Sequence, residues 1–404
     1  MNNPATAMVT IPTPDVKVFE ERKYQTALIS AVLQGWRDKL TSQLVEAPPG
    51  AGKTVMGFRI CRDIVDNCQE LFGCEPHEVG FGWVAMRSNL LTQAAKENAA
   101  MVNCPNVHYI SMFDKEPDKH LANYKFKVII IDEAHHESTD SAHHLLNVVD
   151  PIYCIGLSAT PVRGDKAKLC FQKTHKEAGF YTLIEQGYLS KFGQWMLEEY
   201  SPRSVAGAYL SDREKWGKSI AFFRTIEECQ ECFNILTAAG VRADIVTGKT
   251  DRFQQIDDFE DDKTDFLINM FVLTEGFDCP ALGTVWVRDS TQGPTVQMAG
   301  RVLRKFKNRV KHIVQSVNTE YPFTRIARAL TQSVMVKGEW RSVGVSELAK
   351  IMEAKMLERI MHIKVVIPDY IKKMEEKGRR HRRNASDRTE RLQDLGSERT
   401  QSPE

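Results

Sequence analysis

The chain has 404 residues, of which 42% are hydrophobic and 26% charged, and its net charge is +1. This composition is that of an ordinary globular protein, long enough for two or three domains with cores of their own. The near-zero net charge excludes an overall electrostatic commitment to nucleic acid or membranes. No run approaches the roughly 18 consecutive apolar residues that a membrane span needs, so no membrane span is predicted. The start of the chain lacks the features of a signal peptide, and the scattered cysteines are typical of reduced thiols, so we expect a cytoplasmic protein.

Short apolar segments rich in β-branched residues alternate with helical patterns in two series. The first series comprises residues 43–47, 79–86, 127–132 and 153–160, and the second comprises 218–223, 242–248, 265–272, 284–289 and 311–317. Near-continuous apolar strands separated by helices predict parallel sheets that are covered on both faces. The sequence therefore predicts an α/β fold with two sheet domains.

The predicted domain borders follow from these two series. We expect an N-terminal tail (1–18), a first domain (19–200), a polar linker (201–217), a second domain (218–345), a helical basic extension (346–383) and a disordered tail (384–404). Within the extension, IKKMEEKGRRHRR (371–383) has seven Lys or Arg against two Glu. This stretch could bind phosphates in a salt-sensitive way, or it could be a solvated tail. Because it lacks aromatic residues, it has no platform on which bases could stack.

The segment EAPPGAGKT (46–54) lies between a predicted strand and a helical pattern, which is the context of a phosphate-binding loop. Gly50 and Gly52 allow backbone N–H groups to converge on phosphate oxygens at a helix N-terminus. Lys53 would reach the β- and γ-phosphates, and Thr54 would offer its hydroxyl to Mg²⁺. The first position of the general pattern, usually Gly, is Ala47 here. The predicted nucleotide-binding residues of the loop are Pro49, Gly50, Ala51, Gly52, Lys53 and Thr54.

A second strand, KVIIID, ends in two adjacent carboxylates, Asp132 and Glu133. A strand that delivers a pair of acids beside a phosphate loop can place Asp132 on Mg²⁺ while Glu133 activates the attacking water. Together, the loop and the acidic pair predict a nucleoside triphosphatase.

Positive charge for phosphoryl transfer is predicted in QMAGRVLRKF (297–306), far along the chain in the second series. Arg301 and Arg304 are three residues apart, which predicts that they lie on one face of a helix. Arginines stabilise the charge that develops on the γ-phosphate. We therefore expect a nucleotide held between two domains whose closing and opening is the working movement.

The segments APPGAGKT, DEAH, SAT (158–160), TEGFD (274–278) and QMAGRVLR, in this order, resemble the motifs of superfamily 2 helicases over roughly residues 19–320. The resemblance implies two RecA-like domains, ATP as the fuel and Mg²⁺ as its cation. Ala is common at the first loop position in that family. The chain looks most like DNA helicases and motors of phages and bacteria, including branch-migration enzymes and restriction-type motor subunits. LIEQGYLSKF (183–192) is at the position where that group crosses between its two motor domains.

The resemblance also implies roles for residues of the first domain. Gln25 matches the upstream glutamine that reads adenine, although it could instead be a polar residue of an N-terminal helix. His135, Ser158 and Thr160 match residues that couple hydrolysis to domain and strand movement. Arg87 matches a contact to the nucleic-acid backbone, with a helix-capping arginine as the alternative.

For the second domain, the resemblance implies that Gly276 and Asp278 contact the nucleotide and that Thr274 contacts nucleic acid. Gln297 matches the final motif and is predicted to bind the nucleotide together with the arginines. No other cofactor is implied, and protein partners are not predicted.

These features predict an ATP-dependent helicase or translocase that acts on DNA through sequence-independent backbone contacts. The short stretch between SAT and the second domain leaves no room for an inserted wedge domain, which favours short or branched duplexes as substrates. We expect 3′-to-5′ movement because related DNA motors mostly move that way. An RNA helicase, a DNA-stimulated ATPase that does not separate strands, and a non-catalytic nucleic-acid clamp are the alternatives.

Overall fold

The structure is a computed structural model that describes residues 22–114, 116–121, 124–136, 140–161, 169–248, 250–270, 273 and 279–362. The chain forms two compact units, Met1–Met352 and Glu353–Glu404. The first unit contains two sheets, which define a first and a second lobe. Within the described part of the chain, no helix is long and apolar enough to cross a membrane.

The first lobe is built on a parallel six-stranded sheet with the order β3-β2-β4-β5-β1-β6. Its strands are β1 (Ser42–Glu46), β2 (Gly80–Ala85), β3 (Val107–Ser111), β4 (Phe126–Asp132), β5 (Tyr153–Ser158) and β6 (Lys173–His175). Its helices are α1 (Lys23–Arg37), α2 (Lys53–Asp66), α3 (Cys68–Phe72), α4 (Ser88–Glu97), α5 (Pro117–Leu121) and α6 (Asp140–Val149), and α7 (Phe180–Glu185) follows the last strand.

The second lobe is built on an eight-stranded sheet with the order β14-β13-β7-β12-β11-β8-β10-β9. Its strands are β7 (Phe192–Leu197), β8 (Ser219–Phe222), β9 (Ala243–Val246), β10 (Phe266–Asn269), β11 (Thr284–Trp286), β12 (Lys311–Ser316), β13 (Thr331–Val336) and β14 (Glu339–Ser342). Only the edge strand β14 is antiparallel to its neighbour. The helices are α8 (Pro202–Ser211), α9 (Arg213–Trp216), α10 (Ile226–Ala238), α11 (Arg252–Glu260), α12 (Gln292–Gly300) and α13 (Val345–His362).

The central strands are apolar on both faces because helices cover both sides of each sheet. In the first lobe Phe58 of α2 stacks on Trp83 of β2 with ring centroids 4.0 Å apart, and both side chains are fully buried. In the second lobe Trp286 of β11 packs 5.1 Å from Trp216. The prediction of an α/β fold with two parallel sheets is confirmed.

The predicted linker at 201–217 is corrected by the structure, because this stretch contains α8 and α9 of the second lobe. Ser201 caps α8 by accepting a hydrogen bond from the Ser204 backbone, with a proline at the first helical position. Val205 and Trp216 are completely buried, and the Trp216 indole donates to the Ala208 carbonyl at 2.8 Å.

The border between the lobes also lies earlier than predicted. Strand β7 belongs to the second sheet, where it pairs with β12 and β13. The crossover therefore runs through residues 176–191, which agrees with the position implied for 183–192. The helical prediction for the C-terminal extension agrees with α13, whereas the basic stretch 371–383, both tails and most of the extension lie outside the described residues.

A buried lysine joins several segments of the second lobe. Lys311, at the start of β12, is 0% exposed, and its ammonium donates to the carbonyls of Pro280 at 2.7 Å and Leu282 at 2.5 Å. The ammonium also lies 5.7 Å from the centre of the Phe306 ring. Burial lowers the pKa of Lys311 to about 8, with a smaller opposing effect of Cys279 and a further small decrease from Arg309.

We predict that the contribution of Lys311 to the free energy of unfolding depends on pH. An unfolded lysine has a pKa of about 10.4. Between about 8 and 10.4 the unfolded chain holds a proton that the folded chain has released, so the contribution of Lys311 to the free energy of unfolding rises with pH, by up to about 1.4 kcal/mol per pH unit. Urea unfolding at several pH values should show that the free energy of unfolding of wild type, minus that of Lys311→Met, increases with pH over this window. A constant difference would contradict the prediction, and Lys305→Met, which changes an exposed lysine, is the control.

Candidate nucleotide-binding site

The candidate phosphate loop connects the carboxyl end of β1 to the N-terminus of α2. Gly50 and Gly52 have φ angles of +80° and +79°, in the left-handed region where only glycine is unstrained. Gly52 caps α2, so the unpaired N–H groups of the first helical turn, including those of Lys53 and Thr54, begin directly after the loop. This is the arrangement that binds phosphate groups at helix N-termini. Ala51 takes part in the loop differently, because its N–H donates to the Pro48 carbonyl at 3.1 Å.

Helix α1 covers the loop from the side of the first lobe. The Tyr24 hydroxyl and the Gln25 amide both donate to the Ala51 carbonyl, at 2.7 and 2.8 Å. A Cβ atom at Gly52 would lie 2.8 Å from Gln25 Nε2, so a larger residue there would displace this amide in addition to straining the backbone. These contacts hold α1 and the phosphate loop together as one body.

Gln25 has a buried oxygen that fits an additional ligand. The residue is 2% exposed, its amide nitrogen donates to the Ala51 carbonyl, and its Oε1 has no hydrogen-bond partner among the residues that the structure describes. A buried acceptor without a donor is unfavourable by about 1–3 kcal/mol. The amino group of a nucleobase is a donor of the required kind, so the residues present fit the predicted adenine nucleotide.

The two predicted acids follow β4 beside the loop. Glu133 Oε1 lies 4.0 Å from Lys53 Nζ, and the Glu133 N–H donates to Asp132 Oδ1 at 3.0 Å. Glu133 has a φ angle of +50°, which is uncommon for a residue other than glycine and marks strain at a candidate functional site. Burial raises the pKa of Asp132 well above its ordinary value, with a further increase from Glu133 and an opposing effect of Lys53. A carboxyl group whose charged form is unfavourable without a nearby cation is suited to be a ligand of that cation.

His135 connects the acidic pair to the second lobe. Gln297 Nε2 on α12 lies 2.8 Å from His135 Nε2. With the amide as the donor, the ring proton is on Nδ1, which faces Ser158 Oγ at 3.4 Å and Glu133 Oε2 at 3.6 Å. Ser158 in turn donates to the Thr160 carbonyl at 2.7 Å and accepts from the Thr160 N–H at 3.1 Å. The predicted coupling residues are thus in one chain of contacts, and the partner of Gln297 is His135.

The arginines of the second lobe do not share an α-helix, which corrects the prediction. Helix α12 ends at Gly300, Arg301 begins a 3₁₀ turn, and Arg304 has an extended backbone. A 3₁₀ helix has three residues per turn, so positions three apart still face the same side. Arg301 is buried, and the Arg304 side chain has its Cγ 3.3 Å from where a Cβ on Gly50 would lie. Arg304 therefore lies against the phosphate loop.

For the remaining predicted residues, the structure gives fewer contacts or none. Arg87 is at the N-cap of α4, but its side chain makes no capping hydrogen bond, so the predicted contact to nucleic acid remains a prediction. Thr274, Gly276 and Asp278 lie outside the described residues. Sequence reasoning missed Tyr24, whose only signal was its position next to Gln25. It also missed Ser190, whose hydroxyl donates to the Arg304 carbonyl at 3.1 Å and for which the sequence has no signal.

Two protein families match parts of the chain. The helicase conserved C-terminal domain matches residues 203–306, and the family of the type III restriction enzyme res subunit matches residues 89–163. These segments belong to the second and the first lobe, respectively.

Similar proteins include a helicase-named protein and two restriction enzymes. A protein designated helicase 22 of Sulfolobus islandicus filamentous virus is 22% identical, and the match covers 75% of this chain and 65% of the viral protein. A fragment designated as an HsdR subunit of a type I restriction enzyme from Vibrio vulnificus superposes with a TM-score of 0.60, at 18% identity, over 81% of this chain and 71% of the other. The ATP-dependent type ISP restriction-modification enzyme LlaBIII bound to DNA has a TM-score of 0.55, at 16% identity, over 83% of this chain and 29% of the enzyme.

The fold is thus the two-lobed, RecA-like fold of helicases. Together with the two family matches, this makes the chain similar to superfamily 2 helicases and to restriction-type motors. The chain spans only about two thirds of the length of the viral relative, at 65%.

We predict that the hydrogen bond between His135 and Gln297 couples the lobes. Gln297→Leu keeps the size of the side chain but removes the donor. We expect nucleic-acid stimulation of ATP hydrolysis to fall roughly 5-fold or more, while hydrolysis without nucleic acid changes less. Steady-state hydrolysis with and without single-stranded DNA measures both rates. Gln292→Leu, on the exposed start of the same helix, is the control, and equal stimulation in both variants would refute the coupling.

Proposed function

We propose that this chain is an ATP-driven motor that moves along nucleic acid, preferentially DNA, and unwinds or remodels short or branched duplexes. The observation that supports it most is the meeting of three groups from distant parts of the chain: the phosphate loop with Lys53, the acidic pair after β4, and Arg304 of the second lobe. These are the groups that phosphoryl transfer requires.

Mg²⁺-ATP, when bound, would supply the phosphoryl group for transfer to water and the cation that offsets its charge. Gln25 would recognise the base through its free oxygen, and Lys53 with the N–H groups of the loop would hold the phosphates. Thr54 and Asp132 would hold the cation.

Glu133 would accept the proton of the attacking water, because its side chain is only 15% exposed and its Oε2 has no hydrogen-bond partner among the described residues. Arg301 and Arg304 would stabilise the developing charge from the second lobe. His135, which lies beside Glu133, and Gln297 of the second lobe would connect the acidic pair to the second lobe. Hydrolysis at the acidic pair would then change how the two lobes hold a strand.

DNA is proposed as the track because the structural relatives are restriction enzymes, and one of them is described as bound to DNA. The strand would be held through backbone phosphates, independent of sequence. We propose 3′-to-5′ movement, and a strand-displacement assay that detects only 5′-to-3′ activity would contradict it.

Movement along DNA without strand separation is the second candidate. It is favoured by the short crossover, because residues 176–191 contain one short helix, α7, and no inserted domain that could split a duplex. A triplex-displacement assay distinguishes the two, since a translocase that does not unwind duplex DNA would still remove a third strand.

We predict that Lys53→Ala lowers ATP turnover by roughly 100-fold or more, because Lys53 begins the helix that follows the phosphate loop and its charge would hold the proposed phosphates. Binding of single-stranded DNA should stay within a few-fold of wild type. Phosphate release and fluorescence anisotropy measure the two properties.

The matched control is Lys173→Ala, which removes an exposed lysine from the edge strand β6. If Lys53→Ala retained full hydrolysis, the assignment of the nucleotide site would be wrong.

A further inference from the structure

The crossover segment Tyr188, Leu189 and Ser190 packs against the candidate site. Leu189 is 2% exposed and Ser190 is 6% exposed, so the chain between the lobes is buried at this point. A passive linker would be solvated and would have few fixed contacts. The contacts of these three residues reach both lobes.

Toward the first lobe, the segment contacts helix α1. The rings of Tyr188 and Tyr24 meet edge to face at 5.3 Å, and the Arg22 guanidinium lies 5.5 Å from the centre of the Tyr188 ring. Tyr24 is the residue whose hydroxyl donates to the Ala51 carbonyl of the phosphate loop. Tyr188 is therefore one side chain away from the loop.

Toward the second lobe, the segment holds the backbone of the arginine turn. Leu189 and Arg304 form an antiparallel bridge. The Ser190 N–H donates to the Leu303 carbonyl at 2.8 Å, and the Ser190 hydroxyl donates to the Arg304 carbonyl at 3.1 Å. The backbone of Arg304 is thus fixed by a residue of the crossover.

The two paths meet again at the phosphate loop. A Cβ atom on Gly50 would lie 3.2 Å from Leu189 Cδ2 and 3.3 Å from Arg304 Cγ, so both side chains cover this glycine. The contacts form a ring that runs from the loop through Tyr24 and Tyr188 to Arg304 and back to the loop.

We propose that Ser190 is a positioning residue that sets Arg304 relative to the phosphate loop, and that the crossover 188–190 thereby links the base-binding side of the first lobe to the arginine of the second. This inference rests on the proposed ATP hydrolysis and adds a residue that acts through Arg304. Ser190 itself does not touch the reacting groups.

The test is a double-mutant cycle of Ser190→Ala and Arg304→Ala. We expect Ser190→Ala to lower kcat for ATP hydrolysis about 5- to 20-fold, with KM for ATP within 2-fold of wild type, because the arginine would act in the transition state and not in ground-state binding. In the Arg304→Ala background, Ser190→Ala should have no further effect, because the residue it positions has been removed. Release of radiolabelled phosphate is sensitive enough for the slow variants.

Ser219→Ala is the matched control. Ser219 is also buried in the second lobe, and its hydroxyl donates to a backbone carbonyl, that of Gly217, at the same distance of 3.1 Å. It should leave kcat and KM unchanged, and its thermal unfolding midpoint shows what the loss of such a hydrogen bond does to folding alone.

Three results would overturn the proposal: an unchanged kcat in Ser190→Ala, a rise in KM alone, or the same fractional loss of kcat in both Arg304 backgrounds. Failure of the proposed function is distinguishable, because the wild-type protein itself would then not hydrolyse ATP.

Discussion

Close contact between the phosphate loop and the second lobe is the constraint on which the rest of this arrangement depends. A Cβ atom on Gly300 would lie 2.7 Å from Pro49 Cγ, and a Cβ atom on Gly50 would lie less tightly, at 3.2 and 3.3 Å, against Leu189 and Arg304. Two glycines, one from each lobe, therefore allow the backbone of the loop and the end of α12 to approach. A larger residue at position 300 would have to displace Pro49, and one at position 50 would press on Leu189 and Arg304 from a strained backbone conformation.

The charged groups of the site make the contact between the lobes dependent on what the site binds. The site contains two adjacent acids, one lysine and the arginines of the second lobe, and the pKa of Asp132 is raised because burial and Glu133 both disfavour its charged form. Bringing an arginine to such a site is favourable only when negative charge is present to receive it. The neutral bridge from His135 to Gln297 and the backbone contacts of Ser190 hold the lobes together without adding charge. Contact between the lobes can thus be kept while the electrostatic balance of the site changes.

Much of the fold could be predicted from the sequence, because the central strands are continuous apolar runs between helical patterns. The missed strands are short or carry buried polar residues: β6 has three residues, and β7 includes Gln194, which is fully buried and bonded to Gln315 on the neighbouring strand. Only the paired partner makes such a residue compatible with a core, and a single sequence does not show the partner. The helices at 201–217 have polar outer faces, so their buried residues, such as Trp216, were outweighed in the polar average.

The candidate site divides in the same way. Lys53, Asp132 and Glu133 could be predicted because they belong to short sequence motifs at the end of a strand or the beginning of a helix. Ser190 and Tyr24 act through contacts to distant backbone carbonyls, and neither residue type nor spacing indicates such contacts. The prediction that Arg301 and Arg304 share a helix was wrong because the helix ends at Gly300, where the close approach of Pro49 requires a glycine.

The central claim is that ATP hydrolysis in this chain is coupled to nucleic acid, and DNA in particular. It is tested most directly by steady-state hydrolysis with no polymer and with single-stranded DNA, duplex DNA, forked DNA and RNA of matched length. The account predicts slow hydrolysis alone and the strongest stimulation by forked or single-stranded DNA. Equal rates with and without every polymer would contradict the motor, and preferential stimulation by RNA would contradict the assignment of DNA while leaving the nucleotide site intact.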